Sequence, residues 1–223
     1  MQEQNKTSDL RLSEIDRIIM RLGGDEGARR FLYDQGDARD VVSPILVKSC
    51  RTEIGFVRFS VTSFGATGSE WIKKFQEEKI DIDSTTEEML LSKSFRPTYN
   101  KTTNVVVCMG AIFANGKRSA KKVFATAKEY GLVMPDPEVA CLMRLMFRKK
   151  EDLAELGMRD VVMIMHKPIK VKQQRHGLKL FALQTSSDSN WLYHFSLDGC
   201  MNSNGDWSSS VGFAFEEPER SSE

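Results

Sequence analysis

Histidines are the residues in this chain best suited to proton transfer, because imidazole titrates near neutral pH. The 223 residues include only three, of which His166 ends an apolar segment and His176 lies among basic residues. The third, His194, alternates with aromatic residues on a predicted strand. None has a Ser, Cys or carboxylate at a spacing that demands a nucleophilic triad or a metal site, so we predict no metal and no cofactor. A structural or surface role is the simpler interpretation of each histidine.

One enzymatic alternative uses His166 as a general acid or base. The end of an apolar strand is a common place for a site residue, and Glu138 or His194 would have to be brought near it by the fold. That arrangement would suit a small hydrolase or transferase. These three residues are the catalytic candidates, and the sequence does not decide whether the protein is an enzyme.

Charge is unevenly distributed along the chain. Residues 96–181 contain 17 Lys and Arg against 7 Asp and Glu, and the other residues contain 15 against 24, although the net charge is only +1. A chain of this kind can present a basic surface while it stays near neutral overall. The alternative is that the two parts attract one another within the fold.

Two basic elements are candidates for binding an anionic partner. A predicted helix over 119–130, preceded by Lys117 and Arg118, places basic residues opposite Val123 and Ala127, and the basic loop 167–177 alternates charged with apolar residues. Either could bind phosphates, in which case the affinity would depend on salt. A solvated surface explains both equally simply. The basic candidates are Lys117, Arg118, Lys121 and Lys122 at the helix, and Lys170, Lys172 and Arg175 in the loop.

A helix-turn-helix interpretation of residues 119–147 is disfavoured, because the second helix, Val139–Phe147, is apolar on nearly every side and so is predicted to be buried. Trp207 lies in a polar stretch and is predicted to be exposed, where it would suit an interaction hot spot. The turn Gly65–Ser69 resembles a phosphate loop only superficially. A Thr67/Glu70 capping box explains that turn.

The composition is that of a globular protein, with 40% hydrophobic and 28% charged residues. No apolar run approaches the length of a membrane span, and the polar N-terminus has no secretory h-region. Cys108 and Cys141 lie in apolar runs and are predicted to be buried. We therefore expect a cytoplasmic protein with no membrane association.

The pattern of predicted elements indicates an α+β fold, with a helical N-terminal two thirds containing one or two central strands. Four strands, 161–166, 178–185, 191–197 and 211–215, are predicted to form a C-terminal antiparallel meander. The predicted organisation is an N-terminal helical arm over 1–40, one domain over 41–216 and a disordered tail over 217–223. A capping box at Ser84-Thr85 and Glu87-Glu88 is predicted to open a helix.

Three segments carry a resemblance: Pro137–Leu142, Met165–Ile169 and Gly212–Phe215. With the turn and helix at Thr67–Ile72, they make residues 60–215 resemble a group of uncharacterised bacterial proteins. The resemblance implies one domain and a bacterial cytoplasmic setting, and it implies no activity. Those proteins have an acidic residue where this chain has Lys167, so a role for the charge of the basic loop would not be shared by the group.

The function predicted from these observations is that of a non-enzymatic interaction protein, which offers a basic and aromatic surface to a protein or another anionic partner. The first alternative is nucleic-acid binding through the basic helix 117–128 and the loop 167–176. The second is the hydrolase or transferase that uses His166.

Overall fold

The computed structural model describes residues 50–53, 55–113, 118–148, 150–158, 161–172, 178–184, 191–196 and 206–218, which all belong to one compact unit, Ser49–Glu223. The predicted N-terminal arm, the boundary near residue 40 and the end of the predicted tail lie outside these residues. Lys117, Arg175 and His176 also lie outside the described residues.

One mixed sheet of nine strands dominates the described residues, in the order β1-β2-β4-β9-β5-β7-β8-β3, with β6 paired to β7 beside that path. The strands are β1 (Arg51–Glu53), β2 (Phe56–Phe64), β3 (Asp81–Ile82), β4 (Tyr99–Met109), β5 (Val161–Ile164), β6 (Ile169–Lys170), β7 (Leu178–Gln184), β8 (Trp191–Ser196) and β9 (Gly212–Glu216).

Five helices accompany the sheet in the described part of the chain. They are α1 (Gly68–Glu77), α2 (Ser84–Leu90), α3 (Ala120–Glu129), α4 (Glu138–Met146) and α5 (Lys150–Glu155). Every residue of α4 is buried, which confirms that it is a core helix rather than a DNA-reading one. The Thr67/Glu70 capping box at the start of α1 is also confirmed.

The two faces of the sheet are covered by different helices. On one, which we term the α4 face, the ring of Phe59 on β2 meets Phe147 at the end of α4, with ring centroids 5.1 Å apart. On the other, the α3 face, Val123 of α3 packs into a buried cluster with strand residues that include Val106 and Phe213. Because strand side chains alternate between faces, each strand supplies residues to both layers of core.

The predicted fold class is wrong in its layout. The first two thirds are not mainly helical, because β2 and the 11-residue β4 lie within the sheet and supply part of its core. The first half of β4 escaped prediction since it is polar, with Thr102 paired to Thr62 of β2 on the exposed side. Cross-strand pairing of polar side chains can hold such a segment in a sheet without an apolar pattern.

The predicted four-strand meander is wrong as well. Strands β5, β7 and β8 are antiparallel neighbours, as their positions in the sequence suggested. The last strand, β9, instead lies between β4 and β5, antiparallel to β4 and parallel to β5. The order of the strands along the chain therefore does not predict their order at the centre of the sheet. That order depends on pairing between buried strands that are distant in the sequence.

Candidate functional site

A groove of about 700 Å³ lies between α2 and β6. One wall is a single stripe of α2 and its C-terminal end, formed by Ser84, Glu87, Glu88 and Leu91. Residues spaced by three, four and seven positions share one side of a helix. The opposite wall carries Lys170 and Lys172, and the following residues of the α2 side, Ser92 and Lys93, complete the lining.

The lysine wall follows from the alternation of an extended segment. Ile169 and Val171 are buried, whereas Lys170 and Lys172 between and after them are exposed. Burial of the two apolar side chains fixes the register, and so presents both lysines on the open side. The structure thus places two of the predicted basic-loop residues together at a concave site.

The two walls meet at one hydrogen bond, in which the backbone N–H of Lys172 donates to Glu88 Oε1 at 2.7 Å. Among the described residues, no carboxylate lies within ion-pair distance of the ammonium groups of Lys93, Lys170 or Lys172. The groove therefore holds cations that no other described residue neutralises by direct contact, opposite two carboxylates.

Helix α2 is held in place by Asp83. Its Oδ1 accepts a hydrogen bond from the Thr86 N–H at 2.7 Å, and its Oδ2 lies 3.0 Å from Nδ1 of His194 on β8. Burial acts to raise the pKa of Asp83, but the Thr86 hydrogen bond and the His194 interaction outweigh it and lower that pKa. The cap of α2 is thus Asp83 rather than the predicted Ser84-Thr85, and His194 anchors the helix that lines the groove.

His166 lies in closed core, with no exposed surface. Its Nε2 accepts a hydrogen bond from the Phe181 N–H at 2.9 Å, and Nδ1 lies 2.8 Å from the Lys167 carbonyl oxygen, to which it donates. Burial lowers the pKa of His166 to about 4, although the bond to Lys167 acts in the opposite direction. Both ring nitrogens are hydrogen-bonded to backbone groups, and the side chain is not accessible to a substrate. This environment supports a structural role.

Glu138, another catalytic candidate, is also buried. Its carboxylate accepts hydrogen bonds from Trp71 Nε1 at 3.3 Å and from the N–H and Oγ1 of Thr98 at 2.9 and 2.7 Å. Burial raises the pKa of Glu138, against the effect of these bonds. The contacts recorded for His166, His194 and Glu138 join each of them to other residues and not to one another, so the predicted catalytic grouping is absent among the described contacts.

The prediction that Trp207 is exposed is wrong. Its side chain has no accessible surface and packs against Phe213, with ring centroids 5.1 Å apart. The Trp207 N–H donates to the Arg118 carbonyl oxygen at 3.2 Å, and Arg118 Nε donates to the Trp207 carbonyl oxygen at 2.7 Å. Trp207 is therefore part of the α3-face core, although its neighbours in the sequence are polar. Its two hydrogen bonds with Arg118 fix its position.

Helix α3 carries the other predicted basic candidates, Lys121 and Lys122, and both are exposed. The helix packs on the α3 face, whereas α2 reaches the α4 face through the contact of Asp83 with His194. The register of β7 and β8 places His194 beside Phe181, on the face opposite Leu180 of the α3-face core. The register of β6 and β7 pairs Lys170 with Leu178, on the same side of β7 as Leu180, so the strand register does not place the two basic elements on opposite faces of the sheet.

Cys108 and Cys141 are not suited to thiolate chemistry. Burial raises the pKa of Cys108 to about 12 and that of Cys141 well above its usual value. Their predicted burial is confirmed. In the described part of the chain, no group of three His, Cys, Asp or Glu side chains is placed to hold a metal ion. Nor does a described helix have the length and apolar character to cross a membrane.

Sequence reasoning missed the α2 wall of the groove. The spacing of Ser84, Glu87, Glu88 and Leu91 identifies one helical stripe, and a signal for function was present in Leu91, an apolar residue on that polar stripe. It is 56% exposed. The sequence could not pair this stripe with residues 170–172, because Glu88 and Lys172 are 84 positions apart and meet only in the folded sheet.

The fold and the groove together define a mixed-sheet α+β domain with an open groove lined by charged side chains. No known protein family, curated protein or solved structure matches the chain.

Proposed function

We propose that this protein is a non-enzymatic binding protein, and that the groove between α2 and β6 receives a charged segment of a partner protein. The observation that carries the proposal is the exposed pair Lys170 and Lys172, which lines the groove without a direct ion pair among the described residues. Ammonium groups in this state lose little by binding a carboxylate of a partner, because no internal ion pair has to be broken.

The shape of the site supports a polypeptide ligand. The groove lies between α2 and β6 rather than enclosed in the core, and charged side chains line both walls. The exposed side chain of Leu91 adds apolar area beside the charges. Such a mixture is typical of the rim and core of protein interfaces.

Nucleic-acid binding remains the second candidate, and the exposed Lys121 and Lys122 of α3 favour it. It would rest on α3, because the described part of the basic loop lines the groove beside Glu87 and Glu88. The carboxylates of Glu87 and Glu88 in the groove would repel a phosphate backbone.

The test compares two matched charge reversals. Lys170→Glu/Lys172→Glu alters the groove, and Lys121→Glu/Lys122→Glu makes the same change of four charge units on α3, outside the groove lining. Each immobilised variant and the wild type are incubated with extract from the cells that produce the protein, and the bound proteins are quantified by mass spectrometry. We expect the groove variant to lose at least one specific partner that the α3 variant and the wild type retain.

Capture that is equal for all three proteins would overturn the groove as the binding site. Nucleic acid is measured in parallel, by filter binding of a single-stranded oligonucleotide at two salt concentrations. Retention that is abolished by the α3 variant and not by the groove variant would instead support the second candidate.

A further inference from the structure

The two walls of the groove carry opposite charge. Glu87 and Glu88 lie on the α2 wall, and Lys170 and Lys172 lie on the β6 wall. Glu87 is exposed, and its carboxylate makes no hydrogen bond or ion pair with the described residues, while Glu88 uses one oxygen to accept the Lys172 N–H. A ligand that carries charge of only one sign would be attracted by one wall and repelled by the other.

An extended polypeptide matches this division of charge. Successive side chains of a strand point in opposite directions and recur on the same side about every 7 Å. Lys170 ends β6 and Lys172 follows two residues later, and both are exposed while Ile169 and Val171 are buried, so the two lysines lie on the same open side at a separation comparable to that repeat. A chain lying along the groove would thus direct alternate side chains toward the lysine wall and the intervening ones toward the glutamate wall.

We propose that the groove recognises an extended segment in which acidic and basic residues alternate, with the acidic side chains on Lys170 and Lys172 and the basic ones on Glu87 and Glu88. This inference rests on the proposed function, since it names the class of segment that the binding site accepts. It also distinguishes the site from a simple basic patch, for which the best ligand would be a polyanion.

The probe is a dye-labelled hexapeptide of alternating Glu and Lys, blocked at both ends, and its binding to the full chain is measured by fluorescence anisotropy at low salt. Three competitors define the specificity. They are the peptide of the same composition in two blocks, three Glu followed by three Lys, a hexaglutamate and a single-stranded 12-mer oligonucleotide. We expect the alternating peptide to bind about tenfold more tightly than the block peptide, as two or three additional exposed ion pairs would give.

Reversal of each wall gives a second, independent readout. Lys170→Glu/Lys172→Glu should weaken binding of the alternating peptide about tenfold, and Glu87→Lys should shift the preference of the protein toward hexaglutamate. The combined variant, with both walls reversed, should recover most of the affinity for the alternating peptide, because its walls are again opposite in charge. Lys121→Glu/Lys122→Glu is the control and should bind as the wild type does. Circular dichroism verifies that each variant is folded.

Each other outcome overturns the inference. Tighter binding of hexaglutamate to the wild type would show a basic site without charge alternation, and tighter binding of the oligonucleotide would show a nucleic-acid site. If no peptide binds while the groove-dependent capture of a partner persists, this inference fails and the proposed function stands. If that capture is absent too, both fail.

Discussion

Glu138 and Trp71 are hydrogen-bonded in the core, although 67 positions separate them in the chain. The indole Nε1 donates to Glu138 Oε1 at 3.3 Å and so ties α1 to the first turn of α4. Thr98, which precedes β4, donates to the other carboxylate oxygen. A buried carboxylate with three donors is a structural junction, and its loss would leave those donors unpaired.

This junction leads to the first prediction. Replacing Glu138 with Leu should lower the free energy of unfolding by roughly 2–4 kcal/mol, because the donors of Trp71 and Thr98 lose their acceptor in the core. Trp71→Phe removes one donor and its share of packing. In a double-mutant cycle measured by urea unfolding, we expect the two substitutions to couple by about 1–2 kcal/mol. Purely additive effects would contradict the hydrogen bond.

The second prediction concerns the pH dependence of stability through His166. Its pKa is about 4 in the folded protein against 6.5 for an ordinary histidine, so the unfolded chain binds the proton more readily. The stabilisation is complete above pH 6.5 and decreases as the pH falls toward 4. Between pH 7.5 and pH 5 the free energy of unfolding should therefore drop by about 2 kcal/mol from this residue alone.

The control for that measurement is His166→Gln, which has no titrating group and whose side-chain oxygen can accept the Phe181 N–H. Urea unfolding of both proteins at the two pH values isolates the contribution of the imidazole, since other titrating groups are common to both. The drop should be about 2 kcal/mol larger for the wild type. Equal drops in the two proteins would mean that the histidine does not lose its proton on folding.

Trp207 gives a third prediction that separates a core residue from a surface hot spot. Trp207→Ala should destabilise the protein by roughly 3–5 kcal/mol, because it leaves a cavity against Phe213. Its indole Nε1 has no hydrogen-bond partner among the described residues, so Trp207→Phe should cost only the lost volume, about 1–2 kcal/mol. A Trp207→Ala protein as stable as the wild type would show that the side chain is exposed after all.

A fourth prediction follows from Gly68 at the start of α1. A Cβ placed there would lie 1.9 Å from the carbonyl oxygen of Leu90 at the end of α2. Gly68→Ala should cost roughly 2–4 kcal/mol, since backbone rather than a flexible side chain is in the way. It should also weaken binding at the groove, as the displaced residue next to Leu90 is Leu91 in its lining.

Gly131 is the control for that substitution. Its φ is +73° and a Cβ there meets nothing within 4 Å, so Gly131→Ala should cost only the backbone strain of about 1–2 kcal/mol and leave groove binding unchanged. The measurements are urea unfolding and the anisotropy titration. A smaller cost for Gly68→Ala than for Gly131→Ala would contradict the close approach of α1 and α2.

Local elements were the part of this protein that the sequence predicted well. The capping box at Thr67, the stop of α3 before Gly131, and the buried α4 depend on neighbours within a turn or two of the chain. The lysines at 170 and 172 could be selected as binding candidates because they alternate with apolar residues that had to be buried. Their acidic counterparts on α2 could not be paired with them in advance.

The order of the strands in the sheet could not be predicted either, because it also depends on contacts between distant parts of the chain. The hydrogen bonds of a sheet can join strands that are far apart in the sequence. Strand β9 pairs with both β4 and β5, and its buried residues, such as Phe213 and Ala214, lie in those ladders. His166 and Trp207 have polar or basic neighbours in sequence, yet both are sealed in core that distant strands supply. The sequence by itself determined local elements such as the capping box of α1 and the buried α4, and which side chains are charged. Only the tertiary structure decided which charges face one another, because that depends on long-range packing of the sheet.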